Sequence, residues 1–139
     1  MDKIVTDDKT LRQISVHTTQ EEVDDLKLVI RLKHANGTAW TNGCGLSAIQ
    51  IGIPVRFAWF IWKGKEHTLL NPEITMQRGS FVNTKEGCLS IPDNWANVKR
   101  YGMIEYMNNG KKQRAKGMKA VIIQHEIDHM NGILNTDEH

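Results

Sequence analysis

Two histidines four residues apart, His125 and His129, stand in the segment IIQHEIDHMNG, with Glu126 directly after the first. At i and i+4 of a helix both imidazoles leave the same face about one turn apart, so they can reach a single ion. Glu126 is brought beside them without having to bind. A divalent ion held this way lowers the pKa of a bound water toward ~7, and a neighbouring carboxylate can take that proton and pass it to a leaving amine. The spacing therefore encodes hydrolysis. The alternative is an amphipathic helix whose histidines are merely half-buried and hydrogen-bonded. Two ligands do not make a stable site, and the residues after Gly132, ILNTDEH, offer no third at the spacing of the zinc endopeptidases. The third ligand must come from upstream.

Cys88, in KEGCLSIPD, is the candidate, because the preceding glycine and following proline suit a loop or strand end that presents the thiol. A thiolate with two imidazoles gives three protein ligands and leaves one tetrahedral position open, as a catalytic site needs. A lone cysteine can equally be a small buried hydrophobe. A further segment, TNGCGLSAIQIGIP, has Gly43 and Gly45 on either side of Cys44. Glycines at alternate positions let another backbone come close, as an extended peptide would. Gln50 carries an amide NH₂ that could donate to an oxyanion. The alternative is a glycine-rich turn entering a strand, with Gln50 on the surface. No Gly-Lys-Ser/Thr follows, so this is not a phosphate loop.

The elements that must position these groups can be read from periodicity and turn residues. KAVIIQHEIDHMNG places Val121, Ile122, His125 and His129 on one helical face, with Gly132 at C′. TTQEEVDDLKLVIRLKHANG opens with two overlapping capping boxes, Thr18 to Glu21 and Thr19 to Glu22. Val23, Leu26 and Ile30 would share a face, which predicts a helix over 20–34. VRFAWFIW and EHTLLNP, joined by KGK, form one expected hairpin; NVKRYGMIEYM and KQRAKGM, joined by NNGK, form another. The expectation is an α+β fold: antiparallel β-sheets packed around a C-terminal metal-binding helix, with one N-terminal helix.

Length and charge bound the remaining choices. With 139 residues, 40% hydrophobic and 24% charged, the chain reads as one domain with a core of its own. Its net charge of +2 comes from 18 basic and 16 acidic residues mixed along the chain, which argues against nucleic acid as the main partner. No apolar run approaches the ~18 residues that cross a bilayer, and the N-terminus lacks a secretory pattern, so a cytoplasmic protein without a membrane partner is expected. Two cysteines, Cys44 and Cys88, make no disulfide framework. His17, His34, His67 and His139 have no partners by spacing and read as surface histidines.

Taken in order, GCGLSAIQ, EGCLS and QHEIDH resemble the three signature motifs of the peptide deformylases, and LLNPEI and the VKR after EGCLSIPD extend the likeness over nearly the whole chain. The resemblance implies that Cys88, His125 and His129 bind one divalent ion, natively Fe²⁺, with Zn²⁺, Ni²⁺ or Co²⁺ able to substitute. It makes Glu126 the general acid/base. Gln50 and the backbone N–H of Leu89 would donate to the oxyanion formed when an activated water attacks the formyl carbon. Formate and a free N-terminal methionine would leave. The formyl group is the smallest acyl unit, so a cleft roofed by Gln50 and Leu89 would exclude acetyl by sterics. Val121, Ile122 and Cys44 would line the methionine pocket, and the peptide beyond would add as a strand along Gly43 to Gly45.

Arg100 aligns with a basic residue that in the family can approach the substrate backbone, a plain surface charge being the alternative. Glu86 and Asp128 are expected to hold the loop and the helix around the site. Two departures stand out: Ser47, where the family usually has alanine, and a chain that stops soon after the metal motif. Typical members carry a further C-terminal segment that can help ribosome docking. The expected form is a compact monomer acting on formyl-Met peptides or nascent chains near the ribosome without firm docking. It would work in a bacterial cytoplasm, or in the host cytoplasm if encoded by a phage or another streamlined genome. The competing readings are a zinc endopeptidase with a different third ligand and a nonenzymatic protein stabilised by a metal. The latter would need a fourth protein ligand, and the sequence offers no convincing one.

Overall fold

The run FAWFIW is apolar at successive positions because both faces of its strand are covered. The computed structural model describes residues 2–38 and 45–137, without the side chains of Thr38, Pro92, Asp93 and Asn94; Gly43, Cys44 and His139 lie outside the described residues. Strand β1 (Gly45–Ser47), β2 (Phe57–Trp62) and β3 (Lys65–Leu70) form an antiparallel sheet in the order β1-β2-β3. Phe57 and Trp59 point into one hydrophobic cluster, with Val23, Leu28, Leu32 and Leu46. Ala58 and Phe60 point into a second, with Ile104, Tyr106, Ile123 and Met130. Burying each of these large side chains stabilises the fold by ~1.5–3 kcal/mol relative to exposure.

The N-terminal side of the first sheet carries three helices: α1 (Asp8–Leu11), α2 (Gln20–Asp25) and α3 (Leu28–Thr38). Thr19 caps α2, its side chain accepting from the Glu22 N–H, as the second capping box predicts. The single helix expected over 20–34 is broken at Lys27, whose φ is +54°. This break rotates the helical phase. Leu28, Leu32 and Ala35 turn into the core, while Ile30, expected to share the buried face of Val23, is 58% exposed.

The second sheet is β4 (Glu73–Cys88), β5 (Ile91–Asn108) and β6 (Lys111–Lys116), in the order β4-β5-β6. Both expected hairpins are present, β2–β3 turning at Lys63-Gly64 and β5–β6 at Asn109-Gly110, with positive φ at all four turn residues. Strand β4 was not among the expected elements. Most of its length is solvent-exposed, so no apolar alternation marks it, and only its C-terminal end turns inward. There the register shifts between Asn83 and Glu86 and again before Cys88, and Lys85 adopts φ +55°. Bulges of this kind re-aim side chains near functional sites. Here the strand end delivers Glu86 and Cys88 to the last helix.

That helix, α4 (Gly117–Met130), packs on both sheets. Ala120, Ile123, Ile127 and Met130, spaced three, four and three apart, enter the second cluster. His125 and His129 lie on an adjacent stripe, so the helix has two inward faces rather than one mixed face. Gln124 anchors it to β5: its Oε1 accepts from the Tyr101 N–H at 2.9 Å, and its Nε2 donates to the Tyr101 carbonyl at 2.8 Å. No described helix is long and apolar enough to cross a membrane. His67, expected at the surface, is half-buried and stacked on Phe60 with ring centroids 5.0 Å apart.

A candidate metal centre on the last helix

Cys88, His125 and His129 converge where β4 ends against α4. Their ligand atoms all lie within 4.8 Å of one another. Cys88 Sγ is 3.3 Å from His129 Nε2, which is 3.2 Å from His125 Nε2. Ligands at the usual Zn–N and Zn–S lengths on one tetrahedral ion would stand ~3.4 and ~3.6 Å apart. The donor set therefore fits a divalent cation, and three ligands leave a position for water. No fourth ligand joins them in the cluster among the described residues.

The orientation of His125 is fixed from behind. Its Nδ1 meets Glu86 Oε1 at 2.6 Å, which leaves Nε2 as the atom facing the cluster. Glu86 is itself fully engaged: Arg100 Nε and Asn83 Nδ2 donate to Oε2 at 3.0 and 2.9 Å, and Arg100 Nη2 donates to Oε1. Its backbone carbonyl accepts from Asn135 Nδ2 at 2.7 Å. Arg100 also donates from Nη1 to Asp128 at 2.6 Å, and is only 2% exposed. The surface-charge alternative for Arg100 thus fails, because its guanidinium is turned inward to join the β4 end to α4 through two carboxylates. Glu86 and Asp128 occupy the supporting positions expected of them.

Charge balance in this cluster follows from burial and neighbours. Burial alone would raise the Glu86 carboxyl, but the hydrogen bonds from His125 and Arg100 override it and hold the group well below the usual carboxylate range. His125 is pushed up: burial opposes its charge, yet Cys88 and Glu86 favour it more. His129 is pushed down, by burial and then by the charges of His125 and Arg100.

Glu126 is buried on the same helix, and burial raises its carboxyl against the lowering effects of His125 and Ser47. Ser47 Oγ donates to the Glu126 backbone carbonyl at 2.9 Å and lies 3.2 Å from its Oε1. Gln50 sits in the 3-10 turn Ala48–Ile51 that follows β1, and it is buried rather than on the surface. Its Oε1 accepts from the Ser47 N–H at 3.0 Å, so its Nε2 is aimed at Ser90 Oγ, 3.1 Å away, and Cys88 Sγ, 3.7 Å away. Leu89 lies in the two-residue turn between β4 and β5, beside the thiol.

The other candidates divide. Gly45 lies on β1 opposite Phe60, and a Cβ there would come within 2.5 Å of both Phe60 Cβ and the Trp59 carbonyl oxygen. Its lack of a side chain is therefore required by β2, a demand from inside the fold that the sequence reading assigned to a peptide. Among the described residues, β1 pairs with no strand other than β2. Val121 is buried, and Ile122 is half-buried against the second cluster. Met118, one turn before Ile122, is 51% exposed and extends that stripe. Sequence reasoning passed over Met118, over Asn135, whose partner Glu86 is 49 residues away, and over Asn83, which reaches Glu86 only across the register shift in β4.

With this geometry described, comparison with known proteins gives a consistent answer. A family model described as polypeptide deformylase matches residues 1–139. The peptide deformylase of Agrobacterium fabrum is 38% identical over 144 residues, covering 96% of this chain and 84% of the relative. The crystal structure of peptide deformylase from Thermotoga maritima superposes with a TM-score of 0.84 at 30% identity, covering 96% of this chain and 94% of that one. The probable peptide deformylase of Synechococcus phage S-SSM7 gives 0.85 at 31% identity, covering 100% and 99%. The chain thus belongs to the polypeptide deformylase family, hydrolases that remove the N-terminal formyl group from nascent peptides.

Proposed function

We propose that Cys88, His125 and His129 hold one divalent ion, natively Fe²⁺, and that Glu126, Gln50 and Leu89 carry the deformylation around it. The observation that carries this reading is the closed geometry of the thiol and two imidazoles, with a buried carboxylate one residue from the first histidine. When bound, the ion supplies a water acidic enough to act near neutral pH. Glu126 accepts that water's proton and returns it to the amine nitrogen of methionine as the formyl C–N bond breaks. The Gln50 amide and the Leu89 N–H donate to the oxygen that gains negative charge. A thiolate with two imidazoles also accepts Zn²⁺, Ni²⁺ or Co²⁺, and iron is favoured by the family's usage.

Selectivity for formyl would follow from a tight cleft roofed by Gln50 and Leu89, which excludes acetyl by sterics. Val121 and Ile122, extended by Met118, offer an apolar wall beside His125 for the methionine side chain. Cys44 would join that wall, and the peptide would lie as an added strand along Gly43 to Gly45. Arg100 acts as a support for His125 rather than as a contact to substrate, since Glu86 and Asp128 occupy its guanidinium. The whole chain, 1–139, forms one catalytic domain. It works where formylated chains emerge, in a bacterial cytoplasm or that of a phage host, as a monomer near the ribosome.

Replacing Glu86 by Gln removes the negative charge that faces His125 and Arg100 and turns one of its two accepting oxygens into a donor, which leaves Arg100 under-compensated. Metal affinity, read by competition with a chelator, is expected to fall ~10–100-fold. Unchanged affinity would remove Glu86 from the support of the site. The reading as a whole is tested by offering the purified protein a formyl-Met peptide, an acetyl-Met peptide and a long unmodified peptide. Formate from the first, with the others left intact, is expected; internal cleavage of the third with no formate would favour a zinc endopeptidase.

A further inference from the structure

Ser47 stands at the N-cap of the 3-10 turn, with Gln50 three residues on, the residue pair of a capping box. Gln50 Oε1 accepts from the Ser47 N–H at 3.0 Å. The Ser47 hydroxyl reaches beyond this turn to α4, 79 residues away, donating to the Glu126 carbonyl at 2.9 Å and lying 3.2 Å from Glu126 Oε1. Ser47 is 0% and Glu126 3% exposed, so water does not compete for these bonds.

We infer that Ser47 is a positioning residue that sets Glu126 and Gln50 relative to each other, its hydroxyl holding the carboxylate and its backbone N–H holding the amide. A hydroxyl has one hydrogen and two lone pairs. It can therefore donate to the Glu126 carbonyl or swing that hydrogen to the carboxylate, and it can accept from the carboxyl once Glu126 carries a proton. An alanine keeps the backbone N–H that fixes Gln50 and loses the tie to Glu126. The resemblance gives alanine as the family's usual residue here, so Ser47→Ala is expected to fold. This chain places on one serine a constraint that such a member would need to obtain elsewhere.

The inference rests on Glu126 being the proton carrier, and a double-mutant cycle separates the two claims. Ser47→Ala, Glu126→Gln and the double variant are compared for formate release, metal content and melting temperature. Ser47→Ala is expected to lower kcat ~10–100-fold, the scale of one hydrogen bond to a charged group, with KM and metal content unchanged and the melting temperature lowered only by the loss of one buried tie. In the Glu126→Gln background it is expected to cost nothing further, and its crystal structure should show the Glu126 side chain in more than one rotamer. Wild-type kcat, an equal loss in both backgrounds, an effect confined to KM, or a single unaltered Glu126 rotamer would each overturn the inference. If Glu126→Gln loses activity while Ser47→Ala does not, only the role of Ser47 fails. If Glu126→Gln itself turns over normally, the proton-carrier reading fails with it.

Discussion

Glu126→Gln is expected to lose ~10²–10⁴-fold in formate release while retaining its metal. Glutamine preserves the shape and can still accept from Ser47 Oγ, but it cannot take a proton from water or return one to the departing amine. The ligand cluster does not include Glu126, so metal analysis of the same sample should be unchanged. The buried position matters here, because burial raises the carboxyl and brings it closer to the range in which one group can both accept and release a proton. Undiminished turnover in this variant would remove Glu126 from the chemistry.

Cys88→Ala acts at the other end of the same mechanism. It removes the only thiolate of the cluster and leaves two imidazoles, one of which keeps its hydrogen bond to Glu86. The loss of metal affinity should exceed the ~10–100-fold expected on removing an outer hydrogen-bond partner. The metal should be lost on dialysis, and formate release should disappear with it. A Cys88→Ala protein that kept one ion and full turnover would show that the third ligand lies elsewhere. The two variants therefore fail in distinguishable ways, the first with metal and the second without.

How much of this was legible in the sequence depended on whether the signal was local. The i, i+4 pair on α4 and the two Gly-containing hairpin turns are local patterns, and they appear where periodicity and turn chemistry put them. The break at Lys27 has no glycine or proline to announce it; a lysine with positive φ reflects packing of Leu28 and Leu32 into the core overriding local preference. Strand β4 was missed because its exposed residues carry no alternation, although its end supplies the thiol.

The candidate site was legible in its members and in two of their supports, Glu86 and Asp128, but not in the residue that joins those two. Cys88, His125, His129, Glu126 and Gln50 could be named from residue type and spacing. Nothing local revealed that Arg100 is buried between Glu86 and Asp128, because that depends on a register shift in β4 and on contacts 14 and 28 residues apart. Ser47 stood out only as a departure from the family's usual alanine, and only the fold shows its hydroxyl reaching Glu126. Gly45 drew notice for the right reason, a close backbone approach, but the approaching backbone that the structure records is β2.

The central claim is that turnover belongs to one ion held by Cys88, His125 and His129. The most direct measurement is to strip the protein of metal under anaerobic conditions, add Fe²⁺ in steps, and follow bound iron and formate release from a formyl-Met peptide in the same samples. Activity is predicted to be absent at the start, to rise in proportion to bound iron, and to level off at one ion per chain. Full turnover before any metal is added, or a plateau that bears no relation to bound metal, would contradict the account.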